Sequence, residues 1–194
     1  INQSILLRNC ILDVGTTGNE SFADDTANLT IPDPEESRFI EALSVSSSVS
    51  VGWNMVGMPL EPGGASSKSL GAALPEGCGS RFRWNPAQGA YQKFGSEDTL
   101  PAGGGAWTFC ESGGTATVKG ALASTSEKTV SVKSGWNQVG PFETAIVPSA
   151  VGQEPSDLIE PGTWFRWDPG QGGYAKPSEL TPGAGYWVFA TGNG

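Results

Sequence analysis

The chain contains no histidine, only two methionines and three cysteines, and its 11 basic residues are outnumbered by 20 acidic ones. The absence of histidine excludes Ser-His-Asp and Cys-His catalysis and the common histidine-containing zinc sites. The net charge of −9, with basic residues scattered along the chain, argues against nucleic acid as a partner, since that needs a basic patch. No run of about 18 apolar residues occurs, so the sequence predicts no membrane insertion.

Glycine and proline are abundant, at 28 and 14 residues, and seven tryptophans with eight phenylalanines supply apolar bulk. Dense turns combined with large apolar side chains are typical of a globular chain rather than a disordered one. No stretch shows the roughly 10–12 residues of amphipathic periodicity that indicate a helix. The sequence therefore predicts an all-β fold.

Three blocks of sequence occur twice, with their glycine and aromatic positions kept. Gly52–Gly57 (GWNMVG) and Phe82–Pro86 (FRWNP) recur 83 residues later, and Leu100–Phe109 recurs 80 residues later. An internal repeat indicates a repeated structural unit, so we expect two tandem sandwich-like or barrel-like β units, at residues 46–120 and 128–194. Units of about 70 residues bury little core alone. We expect them to pack about a pseudo-twofold axis; the alternative is two separate beads.

Short strands and tight turns are predicted within each repeat. Valine alternates with serine before each GWN segment, at Val49–Val51 and Val130–Val132, which indicates a half-buried strand. Asn85 and Asp168 each precede proline, an arrangement that opens a type I turn because the side chain caps the backbone. A glycine closes each of these turns, as in a β-hairpin.

The motifs of catalysis are missing from the rest of the chain. There is no CxxC pair, no P-loop and no GxSxG segment, and Gly103–Gly105 is followed by neither Lys-Ser nor Lys-Thr. Glycoside hydrolysis needs two nearby carboxylates, but the repeats share no acidic pair, since Asp168 replaces Asn85. The sequence predicts that this protein is not an enzyme and needs no cofactor.

The cysteines divide between the first repeat and the N-terminal segment. Cys78 and Cys110 are both absent from the second repeat, where Pro161 and Ala190 replace them. Their joint loss predicts a disulfide between them, and hence an oxidising compartment. Cys10 then has no predicted partner. It is either a buried free thiol, or it forms a disulfide with another chain or with a missing part of this one.

The repeated pattern GWNxVG, FRWDPxxGxY and LxPGxGYWV resembles a repeat of exported bacterial and archaeal cell-surface proteins, over residues 49–110 and 130–190. The resemblance implies a β-rich accessory module at the cell surface, with no agreed catalytic residues. The first repeat departs from the pattern, because Gly105-Ala106-Trp107 replaces the final Gly-Tyr-Trp and the cysteine pair is added.

Aromatic residues flank both predicted hairpin turns. Trp84 with Tyr91, and Trp167 with Tyr174, are candidates for stacking on sugar rings; the alternative is that they belong to the core. Trp164 has no aromatic counterpart in the first repeat and lies on the opposite strand face from Trp167. It is the better candidate for an exposed contact.

Residues 1–45 lie outside the repeat and read as a strand, Ser4–Val14, followed by an acidic loop. This strand either packs within its own chain or completes a neighbour's sheet, with Cys10 locking the joint. The segment contains three sequons, which predict a glycoprotein unless they are coincidental. It also contains a weak calcium candidate, whose alternative is a solvated acidic loop. The sequons are at Asn2, Asn19 and Asn28, and the calcium candidate consists of Asp24, Asp25 and Asp33.

Together these features predict a secreted, extracellular protein of the cell surface with a structural or adhesive role. It would be a surface-layer, sheath or filament subunit, or an accessory domain of a larger surface protein. Its expected partners are further copies of itself or neighbouring surface-protein domains. The alternative is a carbohydrate-binding module that holds polysaccharide on exposed tryptophan and tyrosine rings.

Overall fold

The computed structural model of the chain describes residues 43–62, 70–93, 95, 98–122 and 128–194. These residues belong to one compact unit, Ile40–Gly194. Several sequence predictions fall outside the described residues. These are the strand Ser4–Val14, Cys10, the sequons at Asn2, Asn19 and Asn28, and the calcium candidate Asp24, Asp25 and Asp33.

The fold is all-β, which confirms the prediction. The described residues form eleven strands: β1 (Leu43–Val49), β2 (Gly52–Gly57), β3 (Glu61–Pro62), β4 (Cys78–Asn85), β5 (Ala90–Lys93), β6 (Gly105–Cys110), β7 (Gly114–Ala121), β8 (Gly135–Val139), β9 (Arg166–Asp168), β10 (Gly173–Ala175) and β11 (Tyr186–Ala190). One short α-helix, α1 (Leu70–Ala73), and a 3-10 turn at Pro148–Ala150 interrupt them. Within the described ranges no helix has the length and apolar character that crossing a membrane requires.

The two repeats build the same antiparallel arrangement of strands. In the first repeat a four-stranded sheet has the order β2-β6-β4-β5. In the second repeat β8 pairs with β11, and β9 pairs with β10. A single bridge between Phe165 and Trp187 joins these two pairs, and it repeats the pairing of Phe82 with Trp107 in the first repeat. The strand order is therefore kept in both repeats.

Each sheet has two different faces because successive side chains of a strand point in opposite directions. On one face of the first repeat, Val56, Ala106 and Cys110 join an aliphatic core. On the other face, Met55 and Trp107 join an aromatic cluster. The predicted disulfide between Cys78 and Cys110 is present and links β4 to β6 within the aliphatic core.

A buried asparagine fastens the turn before each GWN strand. The side chain of Asn54 accepts a hydrogen bond from Ser50 N at 2.8 Å and donates to Ser50 O at 2.8 Å. Asn137 makes the same pair of bonds with Lys133, at 2.9 and 2.6 Å. Both amides are almost fully buried, at 6% and 5% exposure. The asparagine of GWN is therefore a structural residue.

The two predicted hairpins are also present. Asn85 Oδ1 accepts hydrogen bonds from the backbone of Ala87 at 3.0 Å and Gln88 at 3.3 Å. Asp168 Oδ1 accepts the equivalent bonds from Gly170 and Gln171 at 2.9 and 3.2 Å. These bonds are the side-chain caps that the Asx-Pro sequence predicts. They hold the β4–β5 and β9–β10 hairpins in the same shape.

One predicted strand is missing from the second repeat. Val49 ends β1, which pairs along its whole length with β7. Its counterpart Val132 lies in no strand, although its side chain is buried in the core, and its backbone exchanges two hydrogen bonds with Gly194. In the first repeat Val49 pairs with Gly114, the counterpart of Gly194, so the described residues of the second repeat keep this one pairing.

The repeats pack on each other through contacts that occur in copy-related pairs. Val56 of the first repeat bridges to Ala184 of the second, and the counterpart of this bridge joins Val139 to Gly104. Each contact is thus repeated with the roles of the two repeats exchanged. This reciprocity is what an approximate twofold axis produces, and it brings the aromatic faces of the two sheets together.

Candidate functional site

The aromatic faces of the two repeats are only partly covered. Trp53 and Trp136, which are copy-related, expose 41% and 40% of their surface, and Tyr91 and Tyr174 expose 49% and 52%. Large apolar side chains exposed side by side on a small protein mark an interaction surface more often than single ones do. The matched values show that both repeats contribute equally.

Part of this surface forms an open cleft of about 360 Å³ that is lined by six aromatic side chains. This volume is near the lower end of the range of ligand pockets, about 300–1,000 Å³. Both repeats contribute to the lining, and none of the described residues in it is charged. It consists of Trp84, Tyr91, Trp136, Phe165, Tyr174 and Trp187.

Trp187 forms the floor of the cleft, with only 8% of its surface exposed. Three neighbouring rings stand nearly perpendicular to it. Trp84 lies 5.6 Å away at 81°, Tyr91 6.3 Å away at 70°, and Trp136 6.3 Å away at 81°. Edge-to-face pairs of this kind contribute about 0.5–1.5 kcal/mol each beyond burial. The walls of the cleft are therefore held in place by the rings themselves.

Hydrogen bonds fix the same rings from behind. Trp84 Nε1 donates to the backbone oxygen of Trp136 at 2.7 Å, and Trp84 N donates to Gln138 Oε1 at 3.1 Å. Trp187 Nε1 donates to the hydroxyl of Tyr174 at 3.2 Å. The two bonds of Trp84 join the hairpin of the first repeat to β8 of the second, and the bond of Trp187 joins β11 to β10. They also occupy both indole donors of the lining residues Trp84 and Trp187.

The two tyrosines lie at the rim, and the ring of each contacts a tryptophan of the other repeat. Partial burial raises the pKa of the Tyr91 phenol above its ordinary value of 10.0, the side chain of Trp107 lowers it, and Tyr174 raises it. The net effect is a raised pKa, so this hydroxyl is neutral at physiological pH. A neutral phenol both donates and accepts hydrogen bonds.

A second set of rings repeats this geometry on the other side of the approximate axis. Trp107 lies 5.5 Å from Trp167, as Trp187 does from Trp84 at 5.6 Å. The hydrogen bonds differ, however, because Trp167 Nε1 is buried and makes none with the described residues. Met55 stands where Gln138 stands in the second repeat, so the acceptor that fixes the Trp84 hairpin has no equivalent here.

The structure separates the five stacking candidates of the sequence. Trp84, Tyr91 and Tyr174 line the cleft. Trp167 contacts Trp107 and Tyr174 on the copy-related side. Trp164 lies elsewhere: it is half-buried and packs against the aliphatic core of the second repeat.

Three lining residues were missed by the sequence analysis: Trp136, Phe165 and Trp187. All three lie in the repeated blocks, so their repetition was a visible signal. Their grouping was not visible, because the hairpin of the first repeat meets β11 of the second, and no local pattern encodes that contact.

Other chemistry is sparse among the described residues. They contain no group of three or more His, Cys, Asp or Glu side chains placed to hold a metal ion. The ion pair of Lys128 with Glu143 lies outside the cleft. The aromatic cleft is therefore the candidate site.

No family model matches this chain, and no curated protein or solved structure is significantly similar to it. The resemblance of the repeat to exported cell-surface proteins accordingly stays a prediction, based on the residues of the motif.

Proposed function

We propose that this chain is a non-catalytic adhesive module of an extracellular surface protein, and that the aromatic cleft binds carbohydrate. The observation that supports this most directly is the set of half-exposed rings at the rim: Trp136, Tyr91 and Tyr174. Flat rings that are already fixed in position bind the apolar faces of sugars without an ordering cost at the moment of binding. The rim hydroxyls of Tyr91 and Tyr174 supply polar contacts.

The extracellular part of the proposal is supported by the disulfide between Cys78 and Cys110. Disulfides persist in oxidising compartments and are rare in reducing ones. The resemblance of the repeat to exported surface proteins points to the same location. The acidic net charge of −9 is compatible with a neutral ligand and a poor match for a polyanionic one.

Intrinsic tryptophan fluorescence during titration with a broad panel of polysaccharides tests this function. We expect a saturable change with at least one polysaccharide, and its loss in Trp136→Ala, because this ring is half-exposed and lines the cleft. Phe109→Ala is the matched control, since Phe109 is exposed on the aromatic surface but does not line the cleft. Silence across the whole panel would refute carbohydrate binding.

A second candidate is a structural subunit that assembles with further copies of itself. It is favoured by Trp53 and Phe109, which lie 5.3 Å apart and expose 41% and 37% of their surfaces outside the cleft. Electron microscopy of the unreduced protein, beside a reduced sample, separates the two functions. Ordered fibres or sheets would support the subunit, and dispersed monomers in both samples would support the binding module.

A further inference from the structure

From the floor of the cleft we infer a second element of recognition: a cage for an alkylammonium group, formed by Trp187, Trp84, Tyr91 and Trp136. The inference rests on the proposed function in one respect, that the group is carried by the bound sugar chain. It names the chemical class of that ligand, a polysaccharide substituted with a quaternary ammonium group. The cage itself is tested without any polysaccharide.

The polarity of the cleft changes between its rim and its floor. At the rim, Tyr91 and Tyr174 are about half-exposed and present their hydroxyls. Below the rim, the floor ring Trp187 and the wall ring Trp84 both have their indole donors occupied by protein acceptors, at 3.2 and 2.7 Å. A sugar hydroxyl placed against these two rings would find no free indole donor, which is unfavourable once it is desolvated. The floor therefore suits a group that makes no hydrogen bonds.

The arrangement of the rings suits a round group rather than a flat one. Trp84, Tyr91 and Trp136 stand at 81°, 70° and 81° to the floor ring Trp187. A flat sugar ring stacks on one surface, whereas a tetrahedral trimethylammonium head contacts a floor and several walls at once. Aromatic cages of this kind attract quaternary ammonium through the negative faces of the rings.

Charge selects the cation over a neutral group of the same shape. Among the residues that the structure describes, no charged side chain lines the cleft to repel a cation or to replace the ring faces as the attracting group. The chain as a whole carries a net charge of −9, which raises the local concentration of cations around it. Salt screens the attraction of the net charge, whereas the ring faces act at short range, so we expect the preference for the charged ligand to survive in moderate salt.

The experiment compares choline with 3,3-dimethylbutan-1-ol, its uncharged counterpart of the same shape, by tryptophan fluorescence at constant total chloride. Tetramethylammonium chloride serves as the minimal probe. We expect saturable binding of choline and tetramethylammonium, with choline bound about tenfold more tightly than the neutral alcohol. Equal binding of choline and the alcohol, or binding of neither, would overturn the inference.

Two variants locate the effect in the cage. Trp136→Leu and Tyr91→Leu each keep apolar bulk and remove one wall, so each is expected to reduce the tenfold preference to about threefold or less. Trp53→Leu is the control, because Trp53 is as exposed as its counterpart Trp136 but does not line the cleft. The thermal midpoint of each variant verifies folding. A preference that persists in folded Trp136→Leu and Tyr91→Leu proteins would place the cation elsewhere and contradict the cage.

The polysaccharide titration tests the proposed function and the choline titration tests the cage, so either proposal can be refuted without the other. Binding of choline without binding of any polysaccharide would support the cage and refute the proposed carbohydrate-binding function. Binding of unsubstituted polysaccharide, with no preference for choline over 3,3-dimethylbutan-1-ol, would support the proposed function and refute the cage.

Discussion

Gly57 and Gly140, which occupy the same position in the two repeats, face each other where the repeats meet. A Cβ atom added to Gly57 would lie 3.0 Å from the Cα of Gly140, and one added to Gly140 would lie 2.7 Å from the Cα of Gly57. Gly57 N donates to Gly183 O at 2.9 Å, and Gly140 N donates to Gly103 O at the same distance. The last glycine of GWNxVG is thus required by the contact between the repeats.

Gly140→Ala is expected to lower the free energy of unfolding by about 2 kcal/mol or more, because the added methyl group meets backbone atoms that have no room to move. Urea unfolding followed by fluorescence measures the change. Gly152→Ala is the matched control, since a Cβ at Gly152 meets no atom within 4 Å, and it should change stability by less than about 0.5 kcal/mol. Equal stabilities of the two variants would show that the repeats do not pack closely at this point.

Asn137→Ala is expected to destabilise the protein by about 2 kcal/mol, because it leaves the N–H and C=O groups of Lys133 without the amide that pairs them. Asn54→Ala should have a similar effect through Ser50. By contrast, Asn85→Asp introduces at the exposed cap the residue that the second repeat has there, Asp168. This substitution should leave the stability of the protein nearly unchanged. Thermal unfolding of the three variants checks this order, and a neutral Asn137→Ala would contradict the structural role of the amide.

Replacing Cys78 and Cys110 together by alanine is expected to lower the free energy of unfolding by about 3 kcal/mol, because the bond constrains the unfolded chain over a separation of 32 residues. Urea unfolding without reductant compares the variant with the parent protein. Reductant should then destabilise the parent by a similar amount and leave the variant unchanged. Peptide mapping that finds both thiols free in the parent would remove the basis of this prediction.

The raised pKa of Tyr91 links stability to alkaline pH. The folded state keeps the phenol protonated at a pH where the unfolded chain has lost that proton, near and above 10.0. The unfolded state is therefore favoured as pH rises through this range, and the stabilising contribution, complete at neutral pH, is lost. Tyr91→Phe should flatten this part of the stability curve and remove the step above pH 10.0 that Tyr91 contributes to the tyrosinate absorbance titration. An unchanged titration would contradict the shift.

Much of the local structure could be predicted from the sequence. The repeat predicted two equivalent units, and the Asx-Pro sequences predicted both hairpins. The joint absence of Cys78 and Cys110 from the second repeat predicted the disulfide. Each of these depends on residues close in sequence or on a comparison between the copies. The segment Val130–Val132 shows the limit, because alternation predicts that the side chain of Val132 is buried but not whether the backbone forms a strand.

The candidate site could be predicted only in part. Trp84, Tyr91 and Tyr174 were recognised as candidates because aromatic rings flank a turn. Trp187 was not recognised as a candidate, because a tryptophan at such a position in a strand is equally expected in the core.

What the sequence determined by itself is the repeating unit: its strands, its turns and the covalent bond within the first copy. Only the tertiary structure decided that the two copies share one aromatic surface, with Trp84 of one repeat 5.6 Å from Trp187 of the other. The physical reason lies in the range of the interactions. Backbone preference and alternation act over a few residues, whereas the cleft depends on a contact between strands from different repeats, which the close approach of Gly57 and Gly140 permits.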